Sequence, residues 1–140
     1  MIPRGIVNNY KIIEYPSRTY FIGKDKKRII GMTDGQEAVK QAIYKMLMTE
    51  RYDYLIYDYN YGIEIKTLFG KDPHIACAVL ERRIKDALSV DDRIIDTYDF
   101  IFTVNKSTVN VEFTVKTQFG EIREEVSLDV WKLYLWKYFK

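Results

Sequence analysis

The chain has 140 residues, of which 47% are hydrophobic and 30% charged. These values indicate one globular domain that can bury a core without disulfides or a structural metal. The 22 lysines and arginines nearly balance the 20 aspartates and glutamates, and the formal charge of +2 argues against binding to nucleic acid or an anionic membrane surface. One cysteine, Cys77, and one histidine, His74, fall short of a zinc site and indicate a reducing compartment. We therefore expect no cofactor and no membrane span.

The first segments are predicted to be extended. Residues 1–17 carry Pro3 and Pro16 and no stable apolar period, which favours an extended N-terminal arm over a core strand. Two short β-prone runs, residues 19–22 and 28–32, then flank a polar turn. This pattern predicts a hairpin.

A first helix is predicted after the hairpin. Asp34 is suited to cap its start, because its carboxylate can accept from an early backbone N–H. An apolar stripe follows at helical spacing and consists of Val39, Ala42, Ile43, Met46 and Leu47. Glu50 extends that stripe, so its carboxylate should lie near buried surface and have a partner.

Residues 52–62 contain five tyrosines and end at Gly62. Their alternation is imperfect, which favours an irregular or strand-like segment that crosses the domain surface. Amphipathic rings in this number also suit an interface with another protein.

A second helix is predicted to begin at Asp72 and Pro73, with the aspartate as cap and the proline at the first helical position. Its apolar stripe consists of Ala76, Val79, Leu80, Ile84 and Ala87. Arg83 lies within that stripe, which suggests an ion pair; Glu50 is one candidate partner.

Residues 93–105 and 108–118 alternate apolar and polar side chains and are the clearest strands in the chain, and residues 121–126 can supply a third. The fold class is therefore α+β, with a small antiparallel sheet packed against two main helices. The last segment, residues 127–140, is an aromatic tail that contains Trp131 and Trp136. A helix that packs on another surface is possible there.

Chemistry is weakly indicated. No glycine-rich phosphate loop is present, and His74 follows a proline at a predicted helix start, where an exposed side chain is usual. The strongest enzymatic alternative is a lysozyme-type glycan hydrolase that uses Glu50 or Glu64 in a cleft, with a second carboxylate about 5 to 9.5 Å away. Because 20 acidic residues make such clusters common, structural and surface charges explain them better.

Several strings, in this order and spacing, resemble one family. They are residues 35–43 running into 47–51, residues 61–64, residues 80–88 and the junction at 91–94. The resemblance spans residues 18–126 and is to the baseplate wedge proteins of contractile phage tails, which include the sheath initiator of T-even phages. The XkdS-like branch of defective prophages and tailocins fits best, because its Ser-Arg-Thr-Tyr entry and Thr-Glu-Arg-Tyr helix exit occur at residues 17–20 and 49–52.

The resemblance implies a baseplate wedge domain over residues 18–126, similar to the C-terminal domain of the tail sheath subunit. It implies a structural protein, not an enzyme, that links the wedge to the sheath and initiates sheath assembly through strand addition and interface contacts. Its partners would be the tail sheath, the baseplate wedge proteins and the tail tube or hub, with six copies in a ring. The protein would reside in the baseplate of a virion or tailocin and be assembled in the cytoplasm of the bacterial host.

The resemblance also suggests which residues contact partners. Family members carry Glu-Pro-Arg at the junction that contacts the wedge core, and the matching positions here are Asp91, Asp92 and Arg93. The missing proline leaves the rigidity of that turn open. The full set of predicted partner-binding residues is Asp91, Arg93, Glu50, Arg51, Tyr61, Gly62, Trp131 and Trp136. Residues 1–16 and 127–140 are the candidate segments for strand addition to a neighbour.

Overall fold

The computed structural model describes residues 17–129 and 135–136. Within them, two helices accompany a two-stranded and a four-stranded antiparallel sheet. The elements in chain order are β1 (Thr19–Ile22), β2 (Ile29–Thr33), α1 (Gly35–Met48), α2 (Pro73–Leu88), β3 (Ile94–Asn105), β4 (Thr108–Thr117), β5 (Gly120–Asp129) and β6 (Leu135–Trp136). The predicted α+β class and the hairpin of β1 and β2 are confirmed.

Both helices begin at the predicted caps. The Asp34 carboxylate accepts from the backbone N–H of Gly35 at 2.7 Å, and that of Asp72 accepts from the N–H of His74 at 2.8 Å. These bonds satisfy donors that the first turn of a helix leaves without a partner. In the described part of the chain, neither helix is long and apolar enough to cross a membrane.

The core lies between the two helices and the inward face of the four-stranded sheet. Phe113 of β4 is fully buried near its centre and stacks on Phe100 of β3 with 5.5 Å between ring centroids. The helices contribute Val39, Ile43, Met46, Leu47, Ala76, Leu80, Ile84 and Ala87, which are most of the residues in the two predicted stripes. The two remaining stripe residues, Ala42 and Val79, are partly buried at its border.

The two hairpins of the large sheet differ in regularity. β4 and β5 pair in continuous register from Thr108↔Asp129 to Thr117↔Gly120. The pairing of β3 with β4 shifts register twice, between Ile94 and Asp96 and between Tyr98 and Ile101. Asp99, inside the second shift, has a φ of +56°, which non-glycine residues rarely adopt. The pairing of β3 with β4 is therefore irregular and bends the strand, whereas β5 pairs with β4 without a register shift.

A helix over residues 127–140 is wrong where the structure describes this segment. Ser127 and Leu128 continue β5, and Leu135 and Trp136 form β6 beside them. A strand forms here in place of a helix because Leu128 lies opposite Val109 and is fully buried. Leu128 thereby adds one more residue to the inward-facing side of β5. Residues 1–16, 130–134 and 137–140 lie outside the described residues, and with them Trp131 and nearly all of the predicted arm.

Candidate functional site

The junction before β3 is held by a two-pronged ion pair. The Arg93 guanidinium donates from Nε to Asp91 Oδ1 at 2.9 Å and from Nη2 to Oδ2 at 2.6 Å. The backbone N–H of Arg93 also donates to Oδ1 at 3.0 Å. The carboxylate thus binds the side chain and the main chain of the same residue. This geometry fixes the turn between α2 and β3.

The electrostatics of this pair favour its charged form. Burial alone would raise the pKa of Asp91, but the hydrogen bonds and the positive charge of Arg93 outweigh it and hold that pKa below the ordinary value. The same hydrogen bonds raise the pKa of Arg93. With side-chain exposures of only 14% for Asp91 and 25% for Arg93, the pair is shielded from bulk solvent. Such a pair is stronger than an ordinary surface salt bridge.

Tyr61 lies beside this pair. Its ring stacks on that of Tyr57 with 4.3 Å between centroids. Burial raises the pKa of Tyr61, and the nearby Tyr57 and Asp91 raise it further. Tyr61, Asp91 and Arg93 line one shallow depression of about 210 Å³, which α1 bounds on another side. The fold therefore brings three of the predicted partner-binding residues together from two distant parts of the sequence.

Three further predicted residues, Glu50, Arg51 and Gly62, meet where α1 ends. The Arg51 guanidinium donates to the carbonyl oxygen of Gly62 from Nε at 3.2 Å and from Nη2 at 3.1 Å. Gly62 has a φ of +95°, and a Cβ there would lie 2.6 Å from the carbonyl oxygen of Thr49. Only glycine fits this close approach. We name residues 52–61 the tyrosine loop. The contacts of Arg51 and Gly62 close the base of this loop.

The Glu50 carboxylate has partners, as predicted, but not Arg83. It accepts from the backbone N–H of Ile65, at 3.0 Å for Oε1, and from that of Lys66 at 3.1 Å. Arg83 instead donates to the carbonyl oxygen of Glu64 at 2.7 Å and to the hydroxyl of Thr67. The suggested ion pair of Glu50 with Arg83 is therefore wrong, because Glu50 binds backbone N–H groups and Arg83 binds a backbone carbonyl oxygen and a threonine hydroxyl.

This arrangement gives the hydrolase alternative no support. Both carboxylate oxygens of Glu50 are directed at the backbone N–H of Ile65. Glu64 lines an open depression together with three basic residues, Arg51, Arg82 and Arg83, and with Asp86, whose carboxylate pairs with Arg82 at 3.8 Å. Within residues 17–129, no group of three or more His, Cys, Asp or Glu residues is placed to hold a metal ion. His74 is exposed, and Cys77 is a half-buried residue at the border of the core.

The tyrosine loop and β2 expose large apolar side chains. Leu55 and Ile56 at the tip of the loop are 104% and 85% exposed, and the loop's tyrosines surround them. On β2, Ile29, Ile30 and Met32 are also exposed. Apolar surface of this kind, on two anchored elements, is typical of a protein that buries it against partners.

Comparison with known proteins agrees with a protein that binds partners. The profile of the contractile injection system sheath initiators matches residues 17–120. The chain belongs to this family. The phage-like element PBSX protein XkdS of Bacillus subtilis (strain 168) is 38% identical over 120 residues, which are 81% of this chain and 85% of XkdS. The predicted resemblance is confirmed, and this sheath initiator family member has a structural role in a contractile tail.

The family match covers six of the eight predicted partner-binding residues. Trp131 and Trp136 lie beyond residue 120, where the match ends. Trp131 is outside the described residues, and Trp136 is placed in β6. For all eight, a contact with a partner stays a prediction, as does the likeness of this domain to the C-terminal domain of the tail sheath subunit.

One residue that sequence reasoning missed is Glu124 of this sheath initiator. This residue is 1% exposed, and neither of its carboxylate oxygens has a hydrogen-bond partner in the structure as described. Burial raises its pKa to about 7, against the opposing charges of Lys40 and Lys26 and with a small addition from Glu37. The sequence held a signal, since Glu124 lies between Ile122 and Val126 at the spacing of one strand face.

The groups that act on Glu124 also line a crevice. Lys26 of the hairpin and Glu37 and Lys40 of α1 border a cavity of about 310 Å³. Its other lining residues are Phe21, Ile22, Lys24, Gln41 and Tyr44. A buried carboxyl thus lies close to a predominantly basic, partly aromatic opening between the hairpin and α1.

The outer edge of β5, the side away from β4, is the last feature of the site. The pair Thr117↔Gly120 closes a two-residue turn, so the backbone groups of alternate residues from Glu121 onward are directed to the outer edge. The Gln36 side chain confirms this direction by donating to the carbonyl oxygen of Glu121 at 3.1 Å. By the same alternation, the N–H of Arg123 also points outward. Of the strands in the described residues, only β6 pairs with this edge, opposite Ser127 and Leu128.

Proposed function

We propose that this sheath initiator is a baseplate component that links the wedge to the tail sheath and starts sheath assembly. The observation that carries the proposal is the outer edge of β5 between Glu121, whose carbonyl oxygen binds Gln36, and Ser127, which pairs with β6; no strand of the described residues pairs with this edge between these two positions. A strand from the sheath subunit can add to such an edge, with main-chain hydrogen bonds supplying affinity and alternate side chains supplying register.

In the described residues β6 covers β5 only at Ser127 and Leu128, so the large sheet can be extended at β3 on one side and at the rest of β5 on the other, and these two strands are unequal as acceptors. β3 pairs with β4 on one side and has bulges at two places, which bend a strand and disrupt the even spacing of its backbone groups. Natural proteins protect exposed edges in this way. β5 keeps a single register through ten pairs and has no such interruption. Strand addition is therefore favoured at β5.

The depression around Asp91, Arg93 and Tyr61 is the proposed contact with the wedge. It is preformed, because the ion pair and the ring stack hold its walls. Glu50, Arg51 and Gly62 support it by closing the tyrosine loop. The two predicted tail residues, Trp131 and Trp136, are assigned to the same partner-binding role.

The proposed setting follows from this division of surfaces. Six copies surround the tail tube or hub in the baseplate of a phage or tailocin, after assembly in the cytoplasm of the bacterial host. The chain makes no covalent bond and needs no cofactor, nucleic acid or membrane for this role. The near-neutral charge of +2 and the exposed apolar side chains of the tyrosine loop support a protein that binds other proteins.

The decisive variant is Arg123→Pro, with Arg123→Ala as its matched control. Proline removes the outward N–H of residue 123 and is tolerated where that group is not bonded to the neighbouring strand. Alanine keeps the N–H but loses the ion pair with Glu112 at 2.9 Å, which both variants lack. Each variant is co-expressed with the sheath subunit and the baseplate proteins of its own particle, and sheaths are counted by electron microscopy.

We expect Arg123→Ala to form sheaths on baseplates at the wild-type level and Arg123→Pro to leave the baseplates bare. Circular dichroism of both purified variants establishes that the fold is retained. Sheaths of normal number and length with Arg123→Pro would refute strand addition at β5.

A further inference from the structure

We propose that Glu124 is a specificity-determining residue of the β5 edge, and that it receives the side chain of a lysine or arginine from the strand that adds there. This inference rests on the proposed function and deepens it, since it states the chemistry of the incoming strand.

The position of Glu124 on β5 carries the first step. Ile122, Glu124 and Val126 share the inward face of the strand and are all buried. Residues that lie opposite one another on neighbouring strands direct their side chains to the same face. A strand added at the outer edge therefore places one side chain directly beside Glu124, with its neighbours two positions away beside Ile122 and Val126.

The surroundings of Glu124 carry the second step. Phe113, its partner in register on β4, is apolar. The charged groups that act on Glu124 from α1 and the hairpin are Lys40, Lys26 and Glu37. None of them donates a hydrogen bond to its carboxylate in the described structure. A buried carboxyl without a donor is rare in folded proteins and calls for a partner.

The chemistry of the incoming residue follows from that deficit. An acidic side chain would be repelled, and an apolar one would leave the carboxylate buried without a donor. An ammonium or guanidinium supplies a charge-assisted hydrogen bond in a site shielded from water. The residues two positions on either side should be apolar, because they face Ile122 and Val126. The expected partner strand thus alternates apolar, basic and apolar residues on its inward face.

The experiment measures binding of the purified sheath subunit of the same particle to four full-length forms by isothermal titration calorimetry. They are the wild type, Glu124→Gln, Arg123→Pro and Glu112→Gln. The last removes the same charge from an exposed position of β4 and serves as the matched control. Titrations at pH 7 are repeated in two buffers with different ionisation enthalpies, so that protons released on binding are counted.

If the inference holds, Glu124→Gln weakens binding roughly ten-fold or more, whereas Glu112→Gln leaves it within about two-fold of the wild type. The wild type releases a fraction of a proton, because the buried carboxyl ionises when a cation docks, and Glu124→Gln releases none. A merely structural role of Glu124 would not produce this difference in protons.

Other outcomes separate the two proposals. If Glu124→Gln binds like the wild type while Arg123→Pro does not bind, the inference is overturned and the proposed function stands. If both bind like the wild type, both are overturned. A fifth form, Lys137→Met, tests whether the chain's own tail supplies the cation. Loss of the proton release in this form would assign the partner of Glu124 to that tail and overturn the inference.

Discussion

The guanidinium of Arg51 is hydrogen-bonded to the carbonyl oxygen of Gly62, eleven residues further along the chain. This contact joins the end of α1 to the end of the tyrosine loop. The backbone reinforces it, since the N–H of Ile63 donates to the carbonyl oxygen of Thr49 at 2.9 Å. Because its base is closed, the tyrosine loop is held against its own domain. Its last residue, Tyr61, lines the depression beside Asp91.

Gly62→Ala should destabilise the protein by more than about 2 kcal/mol. The added Cβ would lie 2.6 Å from a backbone oxygen that cannot move away without breaking the base of the loop. Gly70→Ala is the matched control, because Gly70 has a φ of +80° but nothing within 4 Å of a Cβ. We expect it to cost about 1 kcal/mol from backbone strain alone. Urea unfolding of both variants measures the difference, and equal losses would contradict a specific close approach at Gly62.

Arg93→Lys should lower the free energy of unfolding by about 1 kcal/mol at pH 7, because an ammonium cannot form the two-pronged contact with Asp91. Arg82→Lys is the control, since Arg82 is 86% exposed and pairs loosely with Asp86 at 3.8 Å. We expect no measurable change there. A loss at Arg93 no larger than that at Arg82 would show that the shielding of the pair has no energetic weight.

The same pair gives a pH dependence. Because the pKa of Asp91 is lower in the folded state, its contribution is fully present above the ordinary value of 3.8 and is lost as the pH falls through the folded value. Thermal unfolding between pH 5 and pH 2 should therefore show a smaller acid-induced decrease in Arg93→Lys than in the wild type. Identical acid profiles would place the sensitivity elsewhere.

Glu124→Gln should stabilise the isolated protein by roughly 1 to 3 kcal/mol at pH 8. The folded state holds the pKa of Glu124 at about 7, above its ordinary value of 4.5. The wild type therefore loses stability as the pH rises from 4.5 to 7, because the unfolded chain ionises first. Unfolding curves of both forms should converge at pH 4.5. A variant that is less stable than the wild type at pH 8 would mean that the carboxylate has a partner after all.

Glu50→Gln should destabilise the protein by about 1 to 2 kcal/mol, since an amide offers one acceptor oxygen where the carboxylate offers two to the N–H groups of Ile65 and Lys66. Glu64→Gln is the control, and its effect should be smaller. Neither variant should change peptidoglycan turnover by the purified protein, which we expect to be absent. Turnover by the wild type that is lost in a folded Glu50→Gln variant would restore the hydrolase.

Much of the fold was predictable because its signals are local. Asp34 and Asp72 act as caps through bonds to residues one or two positions away, so the sequence contains each whole interaction. The alternation over β3 and β4 likewise reports a sheet with one buried face. The position of Asp91 and Arg93 beside Tyr61 was not predicted, since no local pattern relates residues thirty positions apart.

The predictions that failed concern residues whose contacts lie outside their own local sequence pattern. The partners of Glu50 and Arg83 are mostly backbone groups, whose availability depends on a 3₁₀ turn at Lys66–Leu68 that no side-chain pattern announces. The strand at Ser127 is stabilised by burial of its neighbour Leu128 against distant residues, which overrides local helix propensity. Glu124 was overlooked because acidic residues are usually exposed, and the charged groups that act on it belong to α1 and the hairpin, which are distant in the sequence.

The two register shifts in β3 have a consequence for how copies of this chain meet one another. A protein whose sheet has two equally regular exposed edges can pair edge to edge with further copies of itself without limit, as in fibrils. Here β3 is irregular, so a chain that accepts a strand beside β5 offers no equally regular strand edge at β3. In the proposed function, the molecule therefore begins a polymer of the sheath subunit without forming a polymer of itself.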